Sequence, residues 1–173
     1  MKKYLVILAI SAFTISCSKD DDNNDVLIPT PPVVTSETYL LTAFNTALPT
    51  DLNGDGTASV NQMTEINCFS ANSITIKSDN TFTAQQNGVY IDSDATPSTI
   101  ECYVDSQISG TYTIADGFIT LNYVVDGVAS EQQYEIDATS LRSTYSDDFI
   151  VSRDDTGTPV YITTDLTIIY TKQ

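Results

Sequence analysis

A group of oxygen-bearing side chains in the first third of the chain has the spacing of a calcium ligand set. The segment Asp51-Leu52-Asn53-Gly54-Asp55-Gly56-Thr57 places carboxylate or amide oxygens at alternate positions. Calcium prefers several hard oxygen ligands, and a glycine at the sixth position permits the sharp turn of such a loop. Asp51, Asn53 and Asp55 would supply side-chain oxygens, and Thr57 its backbone carbonyl. The pattern therefore predicts a Ca2+ site.

The twelfth position, at which an EF-hand loop has a bidentate glutamate, is occupied here by Gln62. The capping pattern Ser59-x-x-Gln62 predicts a short helix over 60–67, and this helix would bring Glu65 one turn beyond Gln62. Glu65 is then the candidate for the missing ligand. The alternative is an ordinary surface turn, because Asp, Asn and Gly favour turns without any metal. Both interpretations stay open at this point.

Cysteine use predicts one disulfide. The chain has three cysteines, of which Cys17 belongs to the leader described below. In an exported protein the remaining pair, Cys68 and Cys102, is expected to be oxidised. A bond between these two cysteines would close a loop long enough to stabilise the folded protein by about 3–4 kcal/mol in the chain-entropy model. The alternatives are two buried free thiols or, with weaker support, a metal site.

Catalysis is not expected. The chain contains no histidine, so it has no imidazole base and no His metal ligand. A nucleophilic Ser needs a neighbouring base, and no Ser motif with one is recognisable. The carboxylate pairs Asp147-Asp148 and Asp154-Asp155 are of the residue type that glycosidases use. Adjacent loop residues usually point apart, however, so we predict a protein without enzymatic activity.

The overall composition narrows the classes of partner. Acidic residues number 23 against 7 basic ones, for a net charge of −16. Such a surface repels phosphate, so a nucleic-acid partner is not expected. Apolar residues make up 41% of the chain, which is too many for a disordered protein.

Short segments of alternating apolar residues predict an all-β fold. The predicted strands cover 38–45, 72–78, 80–91, 108–114, 118–125, 131–137, 140–145 and 160–171. Asp116-Gly117 and Asp126-Gly127 are typical of two-residue hairpin turns. Consecutive hairpins without a crossover helix predict an eight-stranded antiparallel up-and-down barrel, because closure removes the exposed edges.

Strand direction in such a barrel gathers the long connections at one end. The connections 46–71, 92–107, 126–130 and 146–159 fall at this end, and 78–80, 115–117 and 138–139 fall at the other. The first set carries many acidic residues and predicts an acidic mouth: Asp51, Asp55, Glu65, Asp92, Asp94, Glu101, Asp105, Asp126, Asp147, Asp148, Asp154 and Asp155. Tyrosines are candidates either for a cavity lining or for barrel core: Tyr90, Tyr103, Tyr112, Tyr123, Tyr134, Tyr145, Tyr161 and Tyr170.

A family resemblance is carried by four of these β segments. TYLLTAF, SITIKSDNTFTAQQNGVY, SGTYTIADGFITL and DLTIIYTK resemble the lipocalin-like domains of Bacteroidota cell-envelope lipoproteins. The resemblance covers about residues 37–172. It implies a lipocalin-like barrel and a role in the cell envelope, with a ligand that is largely unknown for the family.

The first residues resemble a lipoprotein leader. Lys2 and Lys3 precede the uncharged run 4–15, which is too short to span a bilayer. The run suits the apolar core of a signal peptide that covers residues 1–16. Thr14-Ile15-Ser16-Cys17 resembles a lipobox, which implies cleavage before Cys17 and lipidation of its thiol. The Lys and Asp residues at 19–22 resemble a surface-export signal. We therefore expect an outer-membrane, surface-exposed lipoprotein.

The domain organisation and function follow from these expectations. Residues 17–36 form an acidic, Pro-containing linker, and 37–173 form the barrel domain. We expect a non-enzymatic, lipid-anchored envelope protein that binds a small ligand or an envelope protein partner through its acidic mouth. The alternative is a structural or adhesive surface protein with a filled barrel, or an accessory subunit of a surface complex. A cavity of a few hundred Å3 would favour ligand binding.

Overall fold

The computed structural model describes residues 35–92, 99–153 and 159–173. The predicted signal peptide, Cys17 and the linker up to residue 34 lie outside the described residues, as do Asp94, Asp154 and Asp155. In the described ranges, no helix has the length and apolar character needed to cross a membrane.

The described chain is almost entirely β-structure. Its elements are β1 (Ser36–Thr50), β2 (Ser59–Asn61), α1 (Gln62–Glu65), a 3-10 helix (Asn67–Phe69), β3 (Ser73–Lys77), β4 (Thr81–Gln85), β5 (Asn87–Asp92), β6 (Thr99–Val104), β7 (Ile108–Ala115), β8 (Phe118–Val125), β9 (Val128–Ile136), β10 (Ser140–Arg153) and β11 (Pro159–Lys172).

Eight of these strands form a closed antiparallel barrel in the order β1-β3-β4-β7-β8-β9-β10-β11, and β11 pairs with β1 to complete the ring. The predicted fold class is therefore confirmed. The short strand β2 pairs with the end of β1, and β5 and β6 form a separate hairpin. Every predicted strand has a counterpart among the barrel strands, because the alternating apolar residues face the interior in each one.

Left-handed backbone conformations close the tight turns at one end of the barrel and the β8–β9 turn at the other. Asp116 and Gly117 have φ values of 53° and 82°, and Asp126 and Gly127 have 52° and 79°. Positive φ at both central residues matches the twist of a two-residue hairpin, which Asp-Gly adopts readily. In the β3–β4 turn the residue with positive φ is Asn80, at 63°. The connections 78–80, 116–117 and 137–139 are the short ones, as the sequence predicts.

The predicted strand 80–91 is wrong in its second half. The chain leaves the barrel after Gln85, and residues 87–92 pair with β6 instead. The side chain of Asn72 explains the departure: its Oδ1 accepts the backbone N–H of Asn87 at 2.6 Å, and its Nδ2 donates to the Asn87 carbonyl at 2.9 Å. Both backbone groups of Asn87 are thus satisfied without a neighbouring barrel strand.

The predicted loop 146–159 is wrong for residues 146–153 and 159, which belong to strands, while 154–158 lie outside the described residues. Strand β10 continues to Arg153, and β11 pairs with it from Ser140↔Thr171 to Arg153↔Pro159. Asp147 and Asp148 therefore lie on a strand and not in a loop. Pairing with β11 holds this segment in a strand despite its two adjacent charges.

A packed core fills the end of the barrel with the tight turns. Ile74, Phe82, Ile119, Leu121 and Leu141 are each 0–1% exposed. A salt bridge of 2.6 Å between the Lys172 Nζ and the Glu37 Oε1 lies at the same end. The interior of this half of the barrel is occupied by these buried side chains.

The pairing between β9 and β10 is much shorter than that of the other long strands. In the part of the chain described, the ladder consists of Leu141↔Ile136 and Arg142↔Glu135, next to the tight turn 137–139. Beyond Arg142, β10 continues to pair with β11 alone. The barrel wall therefore has an unpaired seam between β9 and β10, which extends from this short ladder towards the end with the long connections.

Candidate ligand-binding cavity

A cavity of about 490 Å3 occupies the end of the barrel with the long connections. This volume is within the range of small-molecule sites. Its inner part is lined by Leu41, Phe44, Phe69, Tyr134, Phe149, Leu166, Ile168 and Tyr170, and its outer part by Asn72, Gln86, Asn87, Gly88, Val89, Tyr90, Tyr103, Asp105, Gln132, Tyr145, Asp147, Asp148 and Tyr161. The lining is thus apolar and aromatic inside, and polar and acidic at the opening.

The alternation of strand β10 places a carboxylate between two aromatic rings. Tyr145, Asp147 and Phe149 follow at alternate positions, so their side chains share one face of the strand. This face is the inner one, because Phe149 is buried and Leu141 lies at the same parity. The seam leaves Gln132 of β9 and Tyr145 of β10 without a shared ladder. The space between these two residues, which backbone pairing would otherwise close, is part of the cavity.

Asp147 and Asp148 are adjacent on β10 and project from opposite faces of the strand, although both residues border the opening of the cavity. Asp148 Oδ1 accepts a hydrogen bond of 2.6 Å from the hydroxyl of Thr163 on β11, and Asp147 Oδ1 accepts the backbone N–H of Asp148 at 2.8 Å. A glycosidase acid–base pair needs two carboxylates that face the same substrate bond. These two carboxylates do not have that arrangement, because they point in different directions. The geometry suits Asp147 to contact a ligand, and it does not suit the pair for catalysis.

The segment between β1 and β3 closes one side of the opening. Leu52 is 2% exposed and packs with Phe149 and Leu166. The ring of Phe44 makes edge contacts with Phe69 at 4.9 Å and with Phe149 at 5.5 Å between centroids. These apolar contacts hold the segment against the barrel and define the wall of the cavity.

A buried glutamine fixes the local conformation of the same segment. The Gln62 Nε2 donates to the Thr46 hydroxyl at 3.1 Å and to the Ser59 carbonyl at 2.9 Å, and its Oε1 accepts the Thr50 hydroxyl at 2.7 Å. Asn61 caps helix α1, since its side chain accepts the Met63 N–H. The predicted short helix is therefore present, although it spans fewer residues than 60–67, and Gln62 supports the loop from inside.

The predicted disulfide is present. Cys68 of the 3-10 helix and Cys102 of β6 are bonded, with their Cα atoms 5.1 Å apart. One cysteine lies between β1 and β3, and the other in the hairpin between β4 and β7. The bond therefore links the two longest connections at the open end of the barrel.

The β5–β6 hairpin supplies two tyrosines to the rim of the cavity. Gly88 and Tyr103 are cross-strand partners, and the Tyr103 ring covers the Gly88 backbone so closely that a Cβ there would lie 2.5 Å from its hydroxyl oxygen. The Tyr90 hydroxyl donates to the Glu101 carboxylate across the same hairpin. Gly88 thus allows the Tyr103 ring to lie flat at the opening.

Charge is distributed unequally between the two ends of the barrel. The Lys and Arg side chains that the structure describes are Lys77, Arg142 and Lys172, which lie near the tight turns. At the open end lie Asp51, Asp55, Glu65, Glu101, Asp105, Asp126, Asp147 and Asp148. The predicted acidic character of this end holds for the described residues, except that Glu65 is buried and Asp147 and Asp148 belong to a strand.

The surroundings of the cavity tyrosines raise the pKa of their hydroxyl groups. Burial raises the pKa of the Tyr145 hydroxyl, and the nearby Asp147 carboxylate raises it further. Burial also raises the pKa of Tyr170 and Tyr134, whose rings meet edge to face at 5.9 Å. These hydroxyls are accordingly neutral at physiological pH, so they offer hydrogen bonds and ring faces and carry no charge.

The residues of the predicted calcium loop are only partly brought together. Asp51 accepts the backbone N–H groups of Gly54, Asp55 and Gly56 at 2.8–3.1 Å. Asn53 Oδ1 accepts the Asp55 N–H at 2.8 Å, and Asp55 Oδ1 accepts the Thr57 N–H at 2.7 Å. The turn interpretation accounts for this geometry.

Glu65 contacts the backbone of that loop. It is 7% exposed, and its Oε2 accepts the backbone N–H of Leu52 at 3.1 Å. Across residues 35–92, 99–153 and 159–173, no three Cys, Asp or Glu side chains are grouped to hold a metal ion. Calcium binding therefore stays a hypothesis.

Six of the eight tyrosine candidates line the cavity, and Tyr112 and Tyr123 instead pack against the core. Sequence reasoning missed Gln132, Asn72 and Phe44. Gln132 had a usable signal, since it lies two residues before Tyr134 in an alternating strand.

No family model, characterised protein or solved structure matches the chain. The cavity must therefore be interpreted from its own chemistry.

Proposed function

We propose that the protein is a non-enzymatic, lipid-anchored cell-envelope protein that binds a small ligand in its barrel cavity. The observation that carries this proposal is the cavity of about 490 Å3 with an apolar interior and a polar rim. A structural or adhesive protein with a filled barrel would not need such a space. The disulfide and the buried Gln62 support the proposal, because they hold the connections that surround the opening.

The position of the opening suits a protein tethered by its N-terminal segment. Strand β1 begins at Ser36, beside Lys77 of β3, at the end of the barrel with the tight turns. The cavity lies at the opposite end. A linker entering at Thr35 would leave the opening unobstructed and facing away from the attachment point.

Two adjacent glutamines of β9 provide a matched test of the binding site. Gln132 lines the cavity, and Gln133 faces outward, where its Nε2 donates to the Thr120 hydroxyl at 3.4 Å. Gln132→Trp should fill the opening, whereas Gln133→Trp adds the same ring to the outer surface. Saturation-transfer NMR with neutral, cationic and anionic small aromatic compounds measures the binding. We expect signals in the wild type and in Gln133→Trp, and their loss in Gln132→Trp. Signals that persist in folded Gln132→Trp would place binding outside the cavity and contradict the proposal.

The lipid anchor has a separate test. Cys17→Ala should abolish membrane attachment in cells labelled with a fatty-acid precursor, since the lipidated thiol is then missing. Replacement of Lys19, Asp20, Asp21 and Asp22 by Ala should lower the accessibility of the protein to protease added to intact cells. Unchanged attachment would refute the anchor, and unchanged accessibility would refute surface export.

A further inference from the structure

We propose that the cavity selects small organic cations that combine an ammonium group with an apolar or aromatic body. This inference rests on the proposed ligand-binding function and names the chemical class of the ligand. It is carried by three features of the cavity: a carboxylate on the inner face of β10, aromatic rings around the opening, and an apolar interior behind them.

The carboxylate of Asp147 is held in place at the opening. Its Oδ1 accepts the Asp148 N–H at 2.8 Å, which fixes the side chain relative to the strand. Tyr145 and Phe149 flank it on the same face. Asp105, from the connection after β6, also lines the cavity. Among the described residues of the lining there is no Lys or Arg, so the carboxylates would be compensated by a positively charged ligand and would repel an anion.

The aromatic rings add a second attraction for a cation. Tyr103, Tyr145 and Tyr161 surround the opening and are 38–56% exposed. Their ring faces attract ammonium groups through the negative potential of the π-system. A charge placed beside Asp147 would lie among these rings, so the two attractions act on the same group of the ligand.

The inner part of the cavity favours an organic cation over a metal ion. Leu41, Ile168 and Tyr170 present mostly apolar surface there. Covering this surface with an apolar group of the ligand is favourable, because the surface is then removed from water. A metal ion needs several oxygen ligands at close range, and the described residues contain no such group of acidic side chains. An ammonium compound with an apolar body satisfies both parts of the cavity.

Three benzyl compounds that differ in charge test this selection: benzyltrimethylammonium, benzyl alcohol and phenylmethanesulfonate. The full-length protein is reconstituted into phosphatidylcholine vesicles, and binding is measured by equilibrium dialysis against protein-free vesicles. We expect the ammonium compound to bind about tenfold more tightly than the alcohol, and the sulfonate most weakly. The preference should decrease at high salt, because ions screen charges at an open site.

Charge-neutral variants separate the local carboxylate from the general acidity of the protein. Asp147→Asn retains an oxygen for the Asp148 N–H and should weaken binding of the ammonium compound about threefold or more. Asp126→Asn removes a charge from the β8–β9 turn at the same end, and Asp116→Asn removes one from the opposite end. Both controls keep a residue that accepts a positive φ, and both should bind like the wild type.

The outcomes distinguish the inference from the function on which it rests. Equal binding of the three compounds, lost in Gln132→Trp, would overturn the selection for cations and leave the ligand-binding function standing. An equal loss in Asp147→Asn and Asp126→Asn would attribute the preference to the overall charge and overturn the role of Asp147. Binding of none of the compounds would overturn both proposals.

Discussion

Cys68 and Cys102 are joined by a disulfide that connects the 3-10 helix after β1 to strand β6. Each cysteine belongs to a different connection at the open end of the barrel, and neither connection is part of the barrel ladder. The bond therefore restrains the position of the two segments that border the cavity.

Removal of this bond should destabilise the protein. The double variant Cys68→Ala/Cys102→Ala is expected to lose up to about 3–4 kcal/mol of unfolding free energy, because its unfolded chain is less restrained. Urea unfolding with and without reductant measures the loss, and the reduced wild type is the control. Peptide mapping that recovers free thiols at both positions of the untreated protein would contradict the pairing.

Gly110 on β7 is expected to be intolerant of any side chain. A Cβ at this position would lie 2.0 Å from the backbone oxygen of Asn122 and 2.9 Å from the Phe82 ring. Gly110→Ala should therefore cost about 1–3 kcal/mol or more, measured by chemical denaturation. Gly88→Ala is the matched control, since its Cβ meets the outer end of the Tyr103 side chain, which can rotate away, instead of backbone. An equal cost for the two variants would show that backbone contact is not the cause.

Asp137 should make stability depend on pH in acid. The N–H groups and hydroxyls of Thr139 and Ser140 donate to its carboxylate, and these bonds lower its pKa to about 2. The unfolded value is about 3.9, so the stabilising contribution is complete above that pH and is lost as the pH falls through about 2. We expect Asp137→Asn to flatten the decrease of the thermal midpoint between about pH 4 and pH 2.

The control for this experiment is Asp116→Asn, which removes another exposed carboxylate from a tight turn at the same end. Its midpoint should follow that of the wild type through the acid range. A profile for Asp137→Asn that parallels the wild type would show that these hydrogen bonds do not contribute to acid stability.

The hydrogen bonds of Asp51 predict that its loss disorders the loop before β2. The backbone N–H groups of Gly54 and Gly56 lose their acceptor in Asp51→Ala, whereas that of Asp55 keeps Asn53 Oδ1, so we expect a loss of about 1 kcal/mol or more. The thermal midpoint is measured in calcium and in chelator, and the loss should be equal in both. A calcium-dependent rise of the wild-type midpoint that is absent in Asp51→Ala and Asp55→Ala would instead support the calcium hypothesis.

The sequence predicts the barrel well because its signals are local. Asp116-Gly117 and Asp126-Gly127 fix two turns, and the alternation in β8 and β11 identifies the inner faces. Once the strands and turns are known, their directions place Cys68 and Cys102 at the same end. The disulfide can therefore be predicted without any knowledge of the packing.

The cavity depends on contacts that no local pattern reveals. The side chain of Asn72 acts on Asn87, which is 15 residues away, and turns the chain out of the barrel. The adjacent charges of Asp147 and Asp148 are typical of a loop, so the sequence does not predict that β10 continues through them. The strand continues there because it pairs with β11. The size of the space between Gln132 and Tyr145 follows from how far two strands separate, and this is a property of the assembled barrel.

The short ladder between β9 and β10 has a consequence for the volume available to a ligand. The wall is held along this line by the pairs Leu141↔Ile136 and Arg142↔Glu135, close to one end. The strands beyond these pairs can separate or approach without loss of other backbone hydrogen bonds. If the cavity binds a ligand as proposed, this seam is the line along which the wall would part for a bulkier one.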